Sequence, residues 1–315
     1  MLLLTAIVIL VVATRWLAWQ VEQRFPASGR FATIDGVKLH YIDVPGGPDA
    51  DLLPMIFLHG ASGNARDPQG AYAQALAGRA RLVFVDRPGA GYSQRGGAGM
   101  EAPDAQARLV AGLMEHLKIG RAVIVGHSLG ASIAVALAVD HPARVAGLVL
   151  TSPATHPWPG GAVTWYYNIA SFPVLGRAFA ETLAVPFGHL LYPRAVKSVF
   201  APDRVVADFD QRSGTHLVLR PGNFLHNAQD VAGLYQHVAR LAPRYREIKA
   251  PTVIVTGDSD GVVLAEIHSE GLARDISGSK LVWLERTGHT PTYTATARIV
   301  AEIEMLNARM LAAAR

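Results

Sequence analysis

No cysteine occurs anywhere in the chain, so disulfides, thiolate metal sites and a cysteine nucleophile are excluded from its chemistry. Charge is scarce as well. Asp, Glu, Lys and Arg make up 17% of the 315 residues against 50% hydrophobic, the reverse of a disordered composition. The 29 basic and 25 acidic residues leave a net charge of only +4, and the arginines are scattered without a basic run. The concentrated patch that a phosphate backbone requires is lacking, which argues against nucleic acid as a partner. No internal repeat is evident, and a folded chain with a full core is expected.

A long hydrophobic run occurs only at the start. Leu2 to Ala13 is almost unbroken aliphatic sequence, followed by Thr14, Arg15 and then Trp16, Leu17, Ala18 and Trp19. The run falls short of the roughly 20 residues of a spanning helix, but Arg15 can snorkel and the tryptophans suit the interface. An N-terminal membrane-anchor helix is expected within residues 1–25, with a linker from Val21 to Gly29. A cleaved signal peptide is the competing reading, against which stand the missing basic leader and cleavage pattern. Arg15, Arg24 and Arg30 all follow the run, so the positive-inside tendency favours the cytoplasmic side for the large domain. Because no later run is long enough to span, removal of Met1 to about Phe25 is expected to leave a soluble, active core.

Phe31 to Asp35 and Val37 to Val44 read as two strands joined at Asp35-Gly36, a hairpin signal. From Met55 the strands become short and fully apolar: Met55 to Leu58, Leu82 to Val85, Ala122 to Val125 and Val145 to Leu150. Helices are expected between them near Ala71 to Ala77, Ala105 to Leu117 and Leu129 to Val139, the last ending at His141-Pro142. That alternation implies a mostly parallel sheet flanked by helices, an α/β fold. It breaks over residues 154–246, where helical signals rich in proline, glycine and aromatics replace it, and this reads as a mainly helical inserted lid. It resumes over 247–315 with the strand Thr252 to Thr256, a helix near Leu264 to Asp275, the strand Lys280 to Leu284 and a closing helix from about Ala295 to Ala313. The core thus has two parts, 26–153 and 247–315.

Gly126-His127-Ser128-Leu129-Gly130 follows an apolar strand directly and opens a helix. A serine at such a strand-to-helix elbow is strained, and glycines two positions either side let the chain fold tightly enough to expose its hydroxyl. The helix N-terminus beneath favours developing negative charge. Ser128 is therefore the candidate nucleophile. A chance glycine-rich turn is the bland alternative, and the strand–helix context weighs against it.

From about Phe31 onward the chain resembles the α/β-hydrolase superfamily, and in particular its lid-bearing esterase, lipase and carbon–carbon hydrolase branch. The resemblance rests on His59-Gly60, Asp86 to Ser93, the Gly126 to Gly130 elbow, Gly257 to Val263 and Gly288-His289, each after a strand and in the family's order. The lid follows no pattern of the family.

Among twelve histidines, His289 is the candidate base, since its loop lies at the carboxyl edge of the sheet where the elbow also lies. His127 is expected to point away from the serine and His59 to brace the oxyanion loop. Asp258 and Asp260 compete as the acid that orients His289. The family's G-x-x-D spacing from Gly257 selects Asp260 and leaves Asp258 to cap the turn. The resemblance places the oxyanion donors at the backbone N–H groups of Leu129 and Ala61, and the Asp86 to Ser93 segment as a tight structural loop.

Serine at the elbow implies acyl transfer to water without a cofactor or metal. The expected partner is a small-molecule ester, with the lid aromatics Trp158, Trp165, Tyr166, Tyr167, Phe172, Phe179, Phe187 and Tyr192 partly packing and partly lining an apolar acyl pocket. Two alternatives keep the same scaffold: a carbon–carbon hydrolase or perhydrolase with the same triad, and an inactive membrane-tethered binding protein.

Overall fold

A computed structural model describes residues 1–313. The chain opens with α1 (Leu2–Arg24), followed by the strands β1 (Arg30–Ile34), β2 (Val37–Val44) and β3 (Met55–Leu58). Next come α2 (Arg66–Tyr72), β4 (Leu82–Val85), α3 (Pro103–His116), β5 (Ala122–His127), α4 (Leu129–Asp140) and β6 (Val145–Thr151). The insertion carries α5 (Trp165–Ser171), α6 (Pro173–Phe179), α7 (Val185–Phe200), α8 (Phe209–Ser213) and α9 (Pro221–Leu241). The core then closes with β7 (Thr252–Gly257), α10 (Ala265–Asp275), β8 (Lys280–Leu284), α11 (Pro291–Thr294) and α12 (Thr296–Ala313).

The eight strands form one sheet in the order β1-β2-β4-β3-β5-β6-β7-β8, parallel from β4 to β8, with β1 and β2 antiparallel at one edge. Asp35 and Gly36 both take positive φ (48° and 78°), the conformation a two-residue hairpin turn requires. The apolar runs follow from burial on both faces. In β3, Ile56 and Leu58 join a core beneath α3 and α4, while Met55 and Phe57 join a second core beneath α2 and α12. The period of two sorts one short strand between two cores.

Two elements depart from the sequence reading. The helix expected near Ala71 to Ala77 begins earlier, at Arg66, because Asn64 Oδ1 accepts the N–H of Arg66 at 2.9 Å and sets up its first turn. The expected linker from Val21 begins only after Arg24. Thr14, Ala18, Val21 and Phe25 are buried at helical spacing against the insertion, which extends the helix through the residues assigned to the linker. Among the described residues α1 is the one helix long and apolar enough to cross a membrane.

Candidate active site

The site is built at the carboxyl edge of the parallel strands. Ser128 stands between β5 and α4 with φ 51° and ψ −119°, a strained conformation for a residue with a side chain. The flanking glycines are demanded by contact. A Cβ on Gly126 would come within 2.8 Å of the Ala131 Cα, and one on Gly130 would collide with the carbonyl oxygens of Leu58 and His59. These approaches lock β3, β5 and α4 together and present the hydroxyl at the N-terminus of α4.

The His289 Nε2 atom lies 3.1 Å from Ser128 Oγ, and its Nδ1 lies 2.8 Å from Asp260 Oδ2. A carboxylate only accepts, so Nδ1 carries the proton and Nε2 is left to receive one from the serine. Asp260 Oδ1 accepts the N–H groups of Val262 at 2.8 Å and Val263 at 3.0 Å. Burial opposes its ionisation, but the His289 hydrogen bond and charge and the two N–H groups outweigh that and hold its pKa below the usual carboxylate value. Asp258 is exposed and accepts from the Ser259 hydroxyl at 2.8 Å. The structure thus brings Ser128, His289 and Asp260 together and leaves Asp258 outside.

His127 makes no bond to the serine. Its Nδ1 sits 3.2 Å from Thr151 O, and its ring lies against that of His289 with centroids 5.0 Å apart, a contact the sequence reading missed. Burial, and then the neighbouring His289, push the His127 pKa down to about 3, so a neutral ring backs His289.

The N–H groups of Leu129 and Ala61 have no acceptor among the described residues. The loop bearing Ala61 is held from several sides. His59 Nδ1 donates to Gly60 O at 2.9 Å, and its Nε2 accepts the N–H of Arg87 at 3.1 Å. Burial, and then the Arg87 charge, drive the His59 pKa to about 3, which keeps this arrangement neutral. Asp86 accepts from the Ala65 N–H at 2.6 Å and the Tyr92 N–H at 2.7 Å, and lies 2.7 Å from His40 Nδ1, so its loop is fastened as expected.

The insertion contributes residues that sequence reasoning did not find. Asn227 on α9 accepts the Ser62 N–H through Oδ1 at 2.6 Å, next to Ala61. One turn on, buried Asp230 binds Arg87 at 2.6 Å and Arg95 at 2.5 Å, while Arg87 also donates to Gly60 O at 3.2 Å. Beyond α7, Asp203 accepts the Gly288 N–H at 2.8 Å, and Val199 O accepts that of His289 at 3.2 Å. Each contact made by a residue of the insertion spans more than 80 residues of sequence. The i, i+3 spacing of Asn227 and Asp230 on one polar helix face was the only local signal.

The aromatics divide in the same way. Tyr192 is buried, and its hydroxyl bonds Asp210 at 2.7 Å. Trp158 packs edge-on to Tyr235 with centroids 5.3 Å apart. Trp165, Phe172 and Phe187 are exposed on the outside of the insertion.

Residues 54–296 match the family model described as the alpha/beta hydrolase fold, and the chain belongs to that family of hydrolases. A 2-hydroxy-6-oxononadienedioate/2-hydroxy-6-oxononatrienedioate hydrolase of Burkholderia vietnamiensis is 28% identical over 256 residues, covering 79% of this chain and 81% of its own. Two solved structures share the fold. A meta-cleavage product hydrolase has a TM-score of 0.70 at 23% identity, covering 89% of this chain and 98% of its own. A membrane phospholipase A has a TM-score of 0.68 at 21% identity, covering 95% of this chain and 92% of its own.

Proposed function

We propose that the protein is a serine hydrolase that cleaves a carboxylic ester of an apolar acyl group. The observation that carries this reading is the chain of contacts from Ser128 Oγ to His289 at 3.1 Å and from His289 to Asp260 at 2.8 Å. His289 Nε2 takes the hydroxyl proton as Ser128 Oγ bonds to the substrate carbonyl carbon. The carbonyl electrons move onto oxygen, and the N–H groups of Leu129 and Ala61 receive the oxyanion. Collapse expels the alcohol, protonated by His289, and leaves an acyl-serine. Water, deprotonated by His289, attacks that carbonyl, and collapse breaks the acyl–Oγ bond and releases the acid as His289 returns the proton to Ser128 Oγ. Asp260 holds the ring and stabilises the imidazolium throughout. α1 anchors the enzyme to a membrane, and the helical insertion acts as the lid over Ser128.

A second reading, hydrolysis of a carbon–carbon bond beside a carbonyl, is favoured by kinship with the Burkholderia vietnamiensis enzyme. The substrate in that enzyme's name is a dicarboxylate. Arg87, which reaches the oxyanion loop here, is buried and already paired with Asp230, which supports an uncharged acyl group instead. Assay of the full chain in mild detergent against p-nitrophenyl esters and a 2-hydroxy-6-oxo dienoate tests the choice. Ester turnover rising from acetate to medium-chain acyl groups, at up to about 0.8 kcal/mol per buried methylene, is the expected result. Turnover confined to the dienoate would establish the second reading.

A further inference from the structure

The burial along α1 is at odds with an anchor that stands clear of the domain. The apolar stretch extends from Leu2 to Trp19, yet only over the first nine residues of the chain is every side chain exposed. At 1.5 Å per residue they reach about 14 Å, roughly half of a ~30 Å hydrocarbon core. From there on the helix is fixed to the insertion. The Thr14 hydroxyl bonds Thr182 O at 3.4 Å, Arg15 pairs with Glu181 at 2.6 Å, Val21 and Phe25 pack on Leu217, and Glu22 pairs with Arg220 at 3.2 Å. The apolar run and the packed part of the helix overlap over residues 10–19.

If α1 inserts along its apolar length, whatever is packed beside residues 10–19 enters with it. What lies there is a π-helical turn (Ala180–Ala184) that leads directly into α7. Leu183, Phe187, Leu190 and Leu191 follow one helical face and are between 39% and 72% exposed. On the preceding helix α6, Val174 and Leu175 are exposed as well, at 84% and 57%. Such a concentration of large apolar side chains is costly in water. The one ion pair at this level, Arg15 with Glu181, is neutral overall, while the exposed Arg177, Arg194 and Lys197 on the same two helices suit an anionic headgroup layer.

We propose that α6, the π-helical turn and α7 form a second membrane-contact face, immersed beside α1, so that the bilayer lipid itself covers these side chains. The anchor is then a rigid strut and not a tether: it presses the insertion onto the membrane. Because α7 also supplies the Val199 carbonyl that accepts the His289 N–H, the immersed face connects directly to the loop of the proposed base. Substrate of a membrane-resident, apolar class would enter from the bilayer side. This rests on the membrane reading of α1, and the test separates the two.

The absence of native cysteine permits single-site labelling of the full chain. Ile9→Cys, Phe187→Cys, Leu190→Cys and Glu115→Cys are each labelled with the environment-sensitive fluorophore NBD. The proteins are reconstituted into phosphatidylcholine–phosphatidylglycerol vesicles with or without nitroxide-bearing phospholipid. Quenching at positions 9, 187 and 190, with position 115 unaffected, is expected. Quenching at position 9 alone would overturn the immersed face while leaving the anchor intact, and loss of quenching at all three would overturn both. Excimer emission from pyrene at position 190, in place of lipid quenching, would give this face to a second copy of the chain and likewise overturn the proposal. Ester turnover in detergent is independent of each outcome.

Discussion

Two aspartates stand two positions apart on one loop, and only the direction of their side chains separates them. Asp260 turns inward to His289 and is capped by two N–H groups, whereas Asp258 faces solvent beside Ser259. Asp260→Asn is expected to lower kcat by roughly four orders of magnitude, because the amide favours the wrong histidine tautomer. Asp258→Asn is expected to change kcat by no more than a few-fold. The reverse ranking in a steady-state assay would assign the acid to Asp258. Asn227 offers a subtler test. It holds the Ser62 N–H and so positions its neighbour Ala61 without touching substrate. Asn227→Ala should reduce kcat about tenfold or more with little change in KM, below the roughly hundredfold cost of losing an oxyanion donor outright. A rise in KM with kcat intact would instead place Asn227 in ground-state binding. Asp230→Ala strands Arg87 in the interior without its partner, a loss of about 3–5 kcal/mol, visible as a lowered melting temperature.

At the scale of elements, the inner strands β3 and β4 were legible because both faces are buried, which prints unbroken apolar runs between turns. β2, β3, β4 and β8 have the bounds read from sequence. Ser128 was equally legible, since its two flanking glycines stand in sequence directly between the strand and the helix that the elbow joins. The supports from α7 and α9 were not. Asn227, Asp230 and Asp203 reach the site only through the path of a long insertion, and nothing in their immediate neighbours encodes that path. The reach of α1 was misread for a related reason: Val21 and Phe25 look like the start of a linker until Leu217, almost two hundred residues later, covers them. Removing Met1 to Phe25 therefore strips four buried side chains and the Phe25 carbonyl that accepts the Tyr92 hydroxyl at 2.6 Å. We expect that truncation to lower the melting temperature and activity, while removal of residues 1–9 leaves both unchanged in detergent. Equal melting temperatures for the two truncations would show that the packed half of α1 contributes nothing to the fold.

Over the whole molecule, stability should depend on pH through histidines kept neutral in the core. Burial sets the folded-state pKa of His59 and His127 at about 3, far below the roughly 6.5 of an unfolded histidine. Below pH 6.5 the unfolded chain binds protons that the folded chain refuses. Stability is thus complete above 6.5 and is lost as pH falls toward 3, by up to about 1.4 kcal/mol per pH unit for each histidine. Denaturant midpoints measured from pH 7 to pH 5 should fall, and His59→Gln should flatten the slope by about one proton. A slope unchanged by His59→Gln would mean that the His59 ring is accessible to protons in the folded state.

The expectations for turnover all depend on an activated hydroxyl at Ser128, and one measurement addresses it without knowledge of the substrate. The full chain in mild detergent is exposed to a fluorophosphonate, and intact mass and peptide maps locate the adduct. The arrangement of Ser128, His289 and Asp260 predicts one adduct per chain on Ser128, absent from Ser128→Ala and formed far more slowly by His289→Ala. An adduct on another residue, or a folded enzyme that takes up none, would contradict the assignment of Ser128 as nucleophile.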